Sequence, residues 1–209
     1  MSHARFATYR TAALSAGHPE EDAPALYAWN AHVSSALLIA LHMCEVAIRN
    51  SVSDALTVVY GPHWPWDRNF ENSLPAPKGS AYQPRKDLLQ ARARCPTTDR
   101  VVVALTFKFW EKMFTSRHDS RIWNPHLLVL FPNLDKLQPV AMHRLRIATD
   151  LESIRRLRNR IAHHEPIFMR DLALDLSTAH ELIKARCQVS ADWMMSEQKV
   201  APIISAKPF

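Results

Sequence analysis

One long apolar stripe constrains the fold of this chain more than any other feature of its sequence. Apolar residues recur at steps of three, four and seven: Leu26, Val33, Leu37, Leu41, Cys44, Ile48, Val52, Leu56 and Val59. That spacing keeps their side chains on one face of an α-helix. The stripe predicts one helix that begins near Asp22 or Pro24, continues for about nine turns and ends at Tyr60-Gly61-Pro62.

The rest of the chain is also helical in pattern. It contains only three glycines, whereas sandwiches and barrels usually need more for their tight turns. Further helices are expected at residues 5–14, 83–94, from Thr97 or Thr98 to 113, 139–163 and 169–188, with one or two short helices within 116–139. We therefore expect a single all-α domain over residues 1–209, with two long helices and a loosely held tail at 198–209.

Residues 61–84 have a different composition from the helical segments. They contain five prolines, two of the three glycines and the aromatic residues Trp64, Trp66 and Phe70. Aromatic rings in a basic protein can stack on nucleic-acid bases. Tryptophans that anchor a core are the favoured interpretation, because a buried tryptophan removes a large apolar area from water. This segment is expected to be a long ordered loop held by its tryptophans.

The charge of the chain permits a nucleic-acid partner without requiring one. The formal net charge is +6 and the pI is about 9.5. Residues 140–170 contain seven arginines, no lysine and three acidic residues. The planar guanidinium suits phosphate, but a solvated helix face that is rich in arginine has the same composition. The sequence leaves both interpretations open.

Cysteine usage and hydropathy predict a cytoplasmic protein. Cys44, Cys95 and Cys187 are odd in number and widely spaced, which is typical of reduced thiols. The longest apolar run, residues 36–46, is interrupted by His42 and Glu45 and is too short to span a bilayer. It predicts a buried helix, and no membrane partner is expected.

Arg158 is the first candidate site residue. The helix expected at 139–163 has an apolar stripe at Ile147, Leu151, Ile154 and Ile161, and the spacing places Arg158 on that stripe between the last two. Because an unpaired buried guanidinium is costly, Arg158 must reach solvent, form an ion pair or line a pocket. By the same spacing Arg155, Arg156 and Arg160 point elsewhere and are expected to be ordinary surface charges.

His163 and Asn159 are the next candidates. His163 lies five residues after Arg158, about 140° further round the helix, whereas Asn159 lies one turn before it and is placed to orient the imidazole. Pro166 ends the helix at about His163 or His164, where the helix dipole favours a protonated histidine. Such a histidine suits a general acid or base. Alternatively, it caps the last carbonyls beside a structural arginine.

These residues carry a resemblance to a known family. The segment Leu157-Arg158-Asn159-Arg160-Ile161-Ala162-His163-His164-Glu165 resembles the Arg-x4–6-His motif of HEPN-domain endoribonucleases, and more narrowly their Abi-like abortive-infection branch. Four further segments are similar to that branch in the expected order: Leu26-Tyr27-Ala28-Trp29-Asn30, Glu45-Val46-Ala47-Ile48-Arg49-Asn50, Tyr60-Gly61-Pro62-His63-Trp64 and Phe107-Lys108-Phe109-Trp110.

The resemblance implies a HEPN-like bundle with two long antiparallel helices, dimerised so that two motifs share a cleft. The implied reaction is metal-independent RNA cleavage by a phage-defence toxin, in which the 2′-hydroxyl attacks the adjacent phosphate. Arg158 would stabilise the transition state, His163 would move protons, and Asn159 would position His163 or the phosphate. His164 would be a second proton carrier or a surface neighbour. An antitoxin or other regulatory protein is a possible partner under this interpretation.

The first long helix contributes two supporting candidates. Glu45 and Arg49 are four residues apart, which by itself predicts an exposed ion pair on one helix face. The resemblance implies instead that this helix faces the site and that Glu45 pairs with a site arginine.

Other chemistry has little support in the sequence. No cofactor is expected, because three scattered glycines cannot form a phosphate-binding loop. No metal is expected either, because His164-Glu165 does not continue as His-Glu-x-x-His; position 168 is Phe168. The main alternative to an enzyme is a non-catalytic HEPN-like module that binds RNA or acts as a scaffold. A DNA-binding regulator that uses the arginine-rich helix is a third hypothesis, which the apolar stripe of that helix disfavours.

Overall fold

The computed structural model describes residues 3–79 and 81–209, and over these residues the chain is 76% helical with no strand. The predicted all-α class is confirmed. The helices are α1 His3–Ser15, α2 Ala23–Tyr60, α3 Arg68–Ser73, α4 Pro84–Arg94, α5 Thr98–Ala104, α6 Phe107–Met113, α7 Asn124–Leu130, α8 Val140–Ala162, α9 Leu172–Arg186, α10 Gln188–Glu197 and α11 Val200–Ser205. Short 3-10 turns at Glu20–Asp22, Trp64–Trp66 and Ser116–His118 and a π-helical segment at Asp119–Trp123 complete the described elements.

Helix α2 is the centre of the fold, and its predicted bounds are confirmed within one residue. Its apolar stripe is buried along its length, and α2 packs against α1, α6, α8, α9 and α11. The helix ends at Gly61, whose φ of 83° is a conformation that favours glycine. Part of α2 is apolar and long enough to span a membrane by those two criteria alone. Its buried stripe is equally what the central helix of a bundle requires.

The proline-rich segment is pinned to the core by one tryptophan. Trp64 and Phe70 are fully buried and meet edge to face, with ring centroids 5.4 Å apart. The indole nitrogen of Trp64 also donates to the Ser53 hydroxyl of α2, at 3.3 Å. Trp66 stays exposed. The core-anchoring interpretation therefore holds for Trp64 and not for Trp66.

The prediction of a single helix from Thr97 or Thr98 to residue 113 is wrong, because the chain forms the two helices α5 and α6 there. Thr97 caps α5 and Thr106 caps α6, each through its side-chain oxygen. The Thr106 hydroxyl also donates to Asp87 of α4, at 2.7 Å. Leu105 between them adopts an extended conformation. Threonine caps compete well with a continued helix, so an unbroken apolar pattern concealed a break.

The carboxyl-terminal segment differs from the loosely held tail expected at 198–209. Part of it forms α11, which packs against α2 and α9. The indole nitrogen of Trp29 in α2 donates to the carbonyl of Ile203 at 2.6 Å, and the ring of Phe209 stacks on His18 with centroids 4.7 Å apart. A long-range hydrogen bond and a ring contact of this kind leave no mark on local sequence pattern.

Candidate functional site

The structure corrects the position of Arg158 on α8. Leu157 rather than Arg158 completes the apolar stripe, and it is fully buried between Ile154 and Ile161. Arg158 flanks the stripe, and its side chain is 45% exposed. Steps of three then four, or four then three, both join Ile154 to Ile161 on one helix face. Leucine takes the buried position because only its side chain gains free energy from leaving water.

Arg158 is held across the helix interface by Glu45. The Nε atom of Arg158 lies 3.7 Å from a carboxylate oxygen of Glu45 on α2, whose side chain is 20% exposed. This ion pair agrees with the implication that α2 faces the site and that Glu45 pairs with a site arginine. Arg49 forms no ion pair with Glu45 within the described part of the chain, so the simple i,i+4 pair is not formed.

The arginines of residues 140–170 are all paired with acidic residues, four of which lie outside that segment. All seven of its arginines lie within 4.0 Å of a carboxylate: Arg144 of Asp119, Arg146 of Asp150, Arg155 of Glu111, Arg156 of Glu152, Arg158 of Glu45, Arg160 of Glu165 and Arg170 of Asp175. Arg144, Arg155 and Arg170 are the least exposed of the seven and stabilise the fold most, because exposed ion pairs contribute little. The segment as a whole therefore does not present a free phosphate-binding face.

Arg158 differs from most arginines of this set in how it is held. Arg144, Arg155, Arg156 and Arg170 each donate hydrogen bonds to their carboxylate, and Arg160 donates to the carbonyl of Pro166. Arg158 donates none to any described residue, and its contact with Glu45 is purely electrostatic. Its guanidinium thus keeps all its donors available while Glu45 biases its orientation.

The prediction that Arg155 is an ordinary surface charge is wrong. Its side chain is only 15% exposed, and it donates to Glu111 of α6, which is 3% exposed. Lys108 and Lys112 also approach this carboxylate, at 2.8 and 3.1 Å. Burial raises the pKa of Glu111, but the three hydrogen-bonded cations outweigh this and lower its pKa overall. Glu111 lies between the buried Trp110 and Met113, so its place in a short apolar helix was the available signal that it needs a cationic partner.

The carboxyl end of α8 is confirmed at the predicted place and has a defined capping geometry. His163 is the residue after the last helical turn, and its N–H donates to the carbonyl of Asn159 at 2.9 Å. The N–H groups of His164 and Glu165 donate to Ile161 and Arg160 at 3.0 and 2.8 Å, the pair of bonds of a Schellman motif. His164 takes the left-handed position with a φ of 55°, where glycine is usual.

The two histidines lie in different surroundings. His163 is exposed, and its imidazole forms no hydrogen bond or ion pair with another described residue. The Asn159 side chain forms no hydrogen bond with this imidazole, so the expected orienting hydrogen bond is absent in the single chain. His164 instead lines a pocket of about 230 Å³ with Tyr27 and Leu38 of α2.

The site residues do not converge within one chain. Arg158 faces Glu45, His163 faces solvent, and no described contact joins their side chains. Leu38, which lines the pocket beside His164, is 46% exposed. No described group of three or more His, Cys, Asp or Glu side chains is arranged to hold a metal ion.

Comparison of the chain with protein-family models, curated proteins and solved structures finds no match.

Proposed function

We propose that the chain is a cytoplasmic, homodimeric endoribonuclease with a HEPN-like fold, and that it acts as a toxin of the abortive-infection type. One observation carries the proposal. The Arg158 side chain is exposed, donates no hydrogen bond to any described residue and lies 3.7 Å from a carboxylate oxygen of Glu45. A guanidinium that is oriented but has free donors suits binding to a phosphate whose charge grows in the transition state.

In the proposed reaction, the 2′-hydroxyl of one nucleotide attacks the adjacent phosphorus. The bond to the 5′-oxygen of the next nucleotide breaks, leaving a 2′,3′-cyclic phosphate and a 5′-hydroxyl. His163 takes the proton from the 2′-hydroxyl or gives one to the leaving oxygen. The reaction needs a 2′-hydroxyl, so DNA is not cleaved. Because Asn159 leaves His163 free, its proposed contact is with the phosphate.

A second copy completes the proposed site. One chain presents Arg158 and His163 without bringing them together, and two-proton catalysis needs both an acid and a base. A partner copy would supply the complementary histidine. The exposed Leu38 and Ile39 of α2 provide apolar surface suitable for such a contact.

The test measures cleavage of a mixed-sequence RNA in EDTA by wild type and by Arg158→Ala, His163→Ala and Arg156→Ala. Arg156→Ala is the matched control, because Arg156 is exposed on the same helix and pairs with Glu152 one turn away. We expect at least a hundredfold loss for Arg158→Ala and His163→Ala and normal cleavage by the control. Equal cleavage by all four proteins would contradict the proposed site.

The alternative function is a non-catalytic RNA-binding or scaffold module. The pairing of all seven arginines favours the scaffold form of this alternative, and the unoriented imidazole of His163 favours the absence of catalysis. It predicts RNA binding without cleavage by wild type in the same experiment. If the chain is a toxin, an antitoxin or other regulatory protein is expected to restrain it in the cell.

A further inference from the structure

Arg49 is unlike the other arginines of the chain. Among the arginines whose side chains the structure describes, Arg49 alone is half-buried and has no carboxylate within 4.0 Å. Its Nε atom is buried and has no hydrogen-bond acceptor among the residues that the structure describes. A buried donor without a partner costs free energy. The cost calls for an explanation that the proposed RNA-cleaving site does not provide.

Arg49 lines a groove of about 750 Å³ between α2, α5, α9 and α10. This volume lies within the range of sites for small organic ligands. Neither Arg158 nor His163 lines the groove. It is therefore a separate feature of the molecule, although Arg49 follows Glu45 by one turn of α2.

The groove combines cationic, polar and aromatic groups. Trp193 of α10 lines it and is 60% exposed, and Asn50 and Ser53 add hydrogen-bonding groups from α2. An exposed indole is a stacking surface for a planar ring. A guanidinium without an anionic partner attracts phosphate.

The other charged groups that line the groove are Arg186, Asp54 and Asp99. Arg186 is held by Asp54 at 2.7 Å and by the carbonyl of Leu130, so the charges of Arg186 and Asp54 compensate each other. Asp99 is exposed in the first turn of α5 and has no described cationic partner. Arg49 is thus the unpaired positive charge of the groove and Asp99 the unpaired negative one.

We propose that this groove binds a nucleotide, with its phosphate on Arg49 and its base against Trp193. The nucleotide is either a free mononucleotide or one unit of a single-stranded RNA that continues along the surface. The second source rests on the proposed RNA-cleaving function, whereas the first does not.

The experiment titrates the His163→Ala protein, which keeps the groove intact, with AMP, ATP and a short oligouridine by calorimetry and tryptophan fluorescence. Saturable binding with one site per chain is expected for at least one of these probes. Selective binding of AMP or ATP identifies a free nucleotide as the ligand, and selective binding of the oligonucleotide identifies an RNA segment. If wild type binds a probe but cleaves no RNA, the nucleotide-binding proposal stands and the proposed RNA-cleaving function fails.

Variants then locate the binding. Arg49→Met is expected to weaken it at least about tenfold, and Trp193→Ala at least about fivefold with loss of the fluorescence change. Arg121→Met is the matched control, because Arg121 is exposed, has no described carboxylate partner and lies outside the groove. Trp193→Ala alters only an exposed side chain, so it decides the question even if Arg49→Met fails to fold. No saturable binding of any probe, or binding unchanged in Trp193→Ala, overturns the proposal.

Discussion

Replacing His164 with glycine should stabilise the protein. His164 occupies the left-handed position of the cap at the end of α8, with a φ of 55°. This conformation costs an L-residue roughly 1–2 kcal/mol, and histidine tolerates it better than most residues. Glycine adopts it without steric cost but adds entropy to the unfolded chain. The expected net gain is therefore about 1 kcal/mol in the free energy of unfolding.

The assay is urea unfolding followed by circular dichroism, with thermal unfolding as a second measurement. For a chain of this size a gain of that amount raises the Tm by about 2–4 °C. His164→Ala removes the same imidazole and keeps the strained Cβ, so the difference between the two variants isolates the backbone contribution. A His164→Gly protein no more stable than His164→Ala would refute the strain argument.

His163→Gly, one residue earlier, should change the free energy of unfolding in the opposite direction. His163 has a φ of −91° and a ψ of 8°, a conformation outside the left-handed region. Glycine there gains nothing and loses up to about 1 kcal/mol through added chain entropy. His164→Gly should also retain RNA cleavage if His164 only shapes the helix end, whereas a loss of cleavage would assign it a role in proton transfer.

Three further predictions concern residues away from the helix end. Folding lowers the pKa of Glu111, so its ionised form stabilises the fold above pH 4.5. The free energy of unfolding is measured in urea across pH for wild type and Glu111→Gln. As the pH falls below 4.5, wild type should lose its greater stability over the variant. Arg155→Met should cost about 2 kcal/mol in the same measurement, because it removes one charged hydrogen bond from the buried carboxylate of Glu111 while Lys108 and Lys112 stay paired with it. A cost below about 0.5 kcal/mol would contradict the buried pair. Arg49→Met should leave the stability of the unliganded protein unchanged or raise it by about 1 kcal/mol, since it removes a buried donor without a partner; a large loss would reveal an acceptor.

The helices were predictable where one local pattern governed them. The stripe of α2 and the proline after α8 set the ends of both helices within a residue or two. The break at Thr106 was not predictable from that pattern, because Thr106 is a cap only by virtue of its hydroxyl contacts, and one of these reaches Asp87 in another helix.

The residues of the candidate site stay a prediction, and their geometry was only partly predictable from the sequence. Periodicity placed Arg158 near the buried face of α8 but could not distinguish it from Leu157, because both positions join Ile154 to Ile161. The partners of the arginines were hidden for another reason. Glu45 and Glu111 lie far along the chain from Arg158 and Arg155, and only the packing of α2 and α6 against α8 brings them together.

The chemistry of the RNA ends tests the central claim most directly. An RNA with one scissile site is incubated with the protein in EDTA, and the termini of the fragments are identified by mass spectrometry. We predict a 2′,3′-cyclic phosphate and a 5′-hydroxyl, neither of which forms with Arg158→Ala or when that nucleotide lacks its 2′-hydroxyl. Fragments with 5′-phosphates, or cleavage that persists without the 2′-hydroxyl, would contradict the proposed roles of Arg158 and His163.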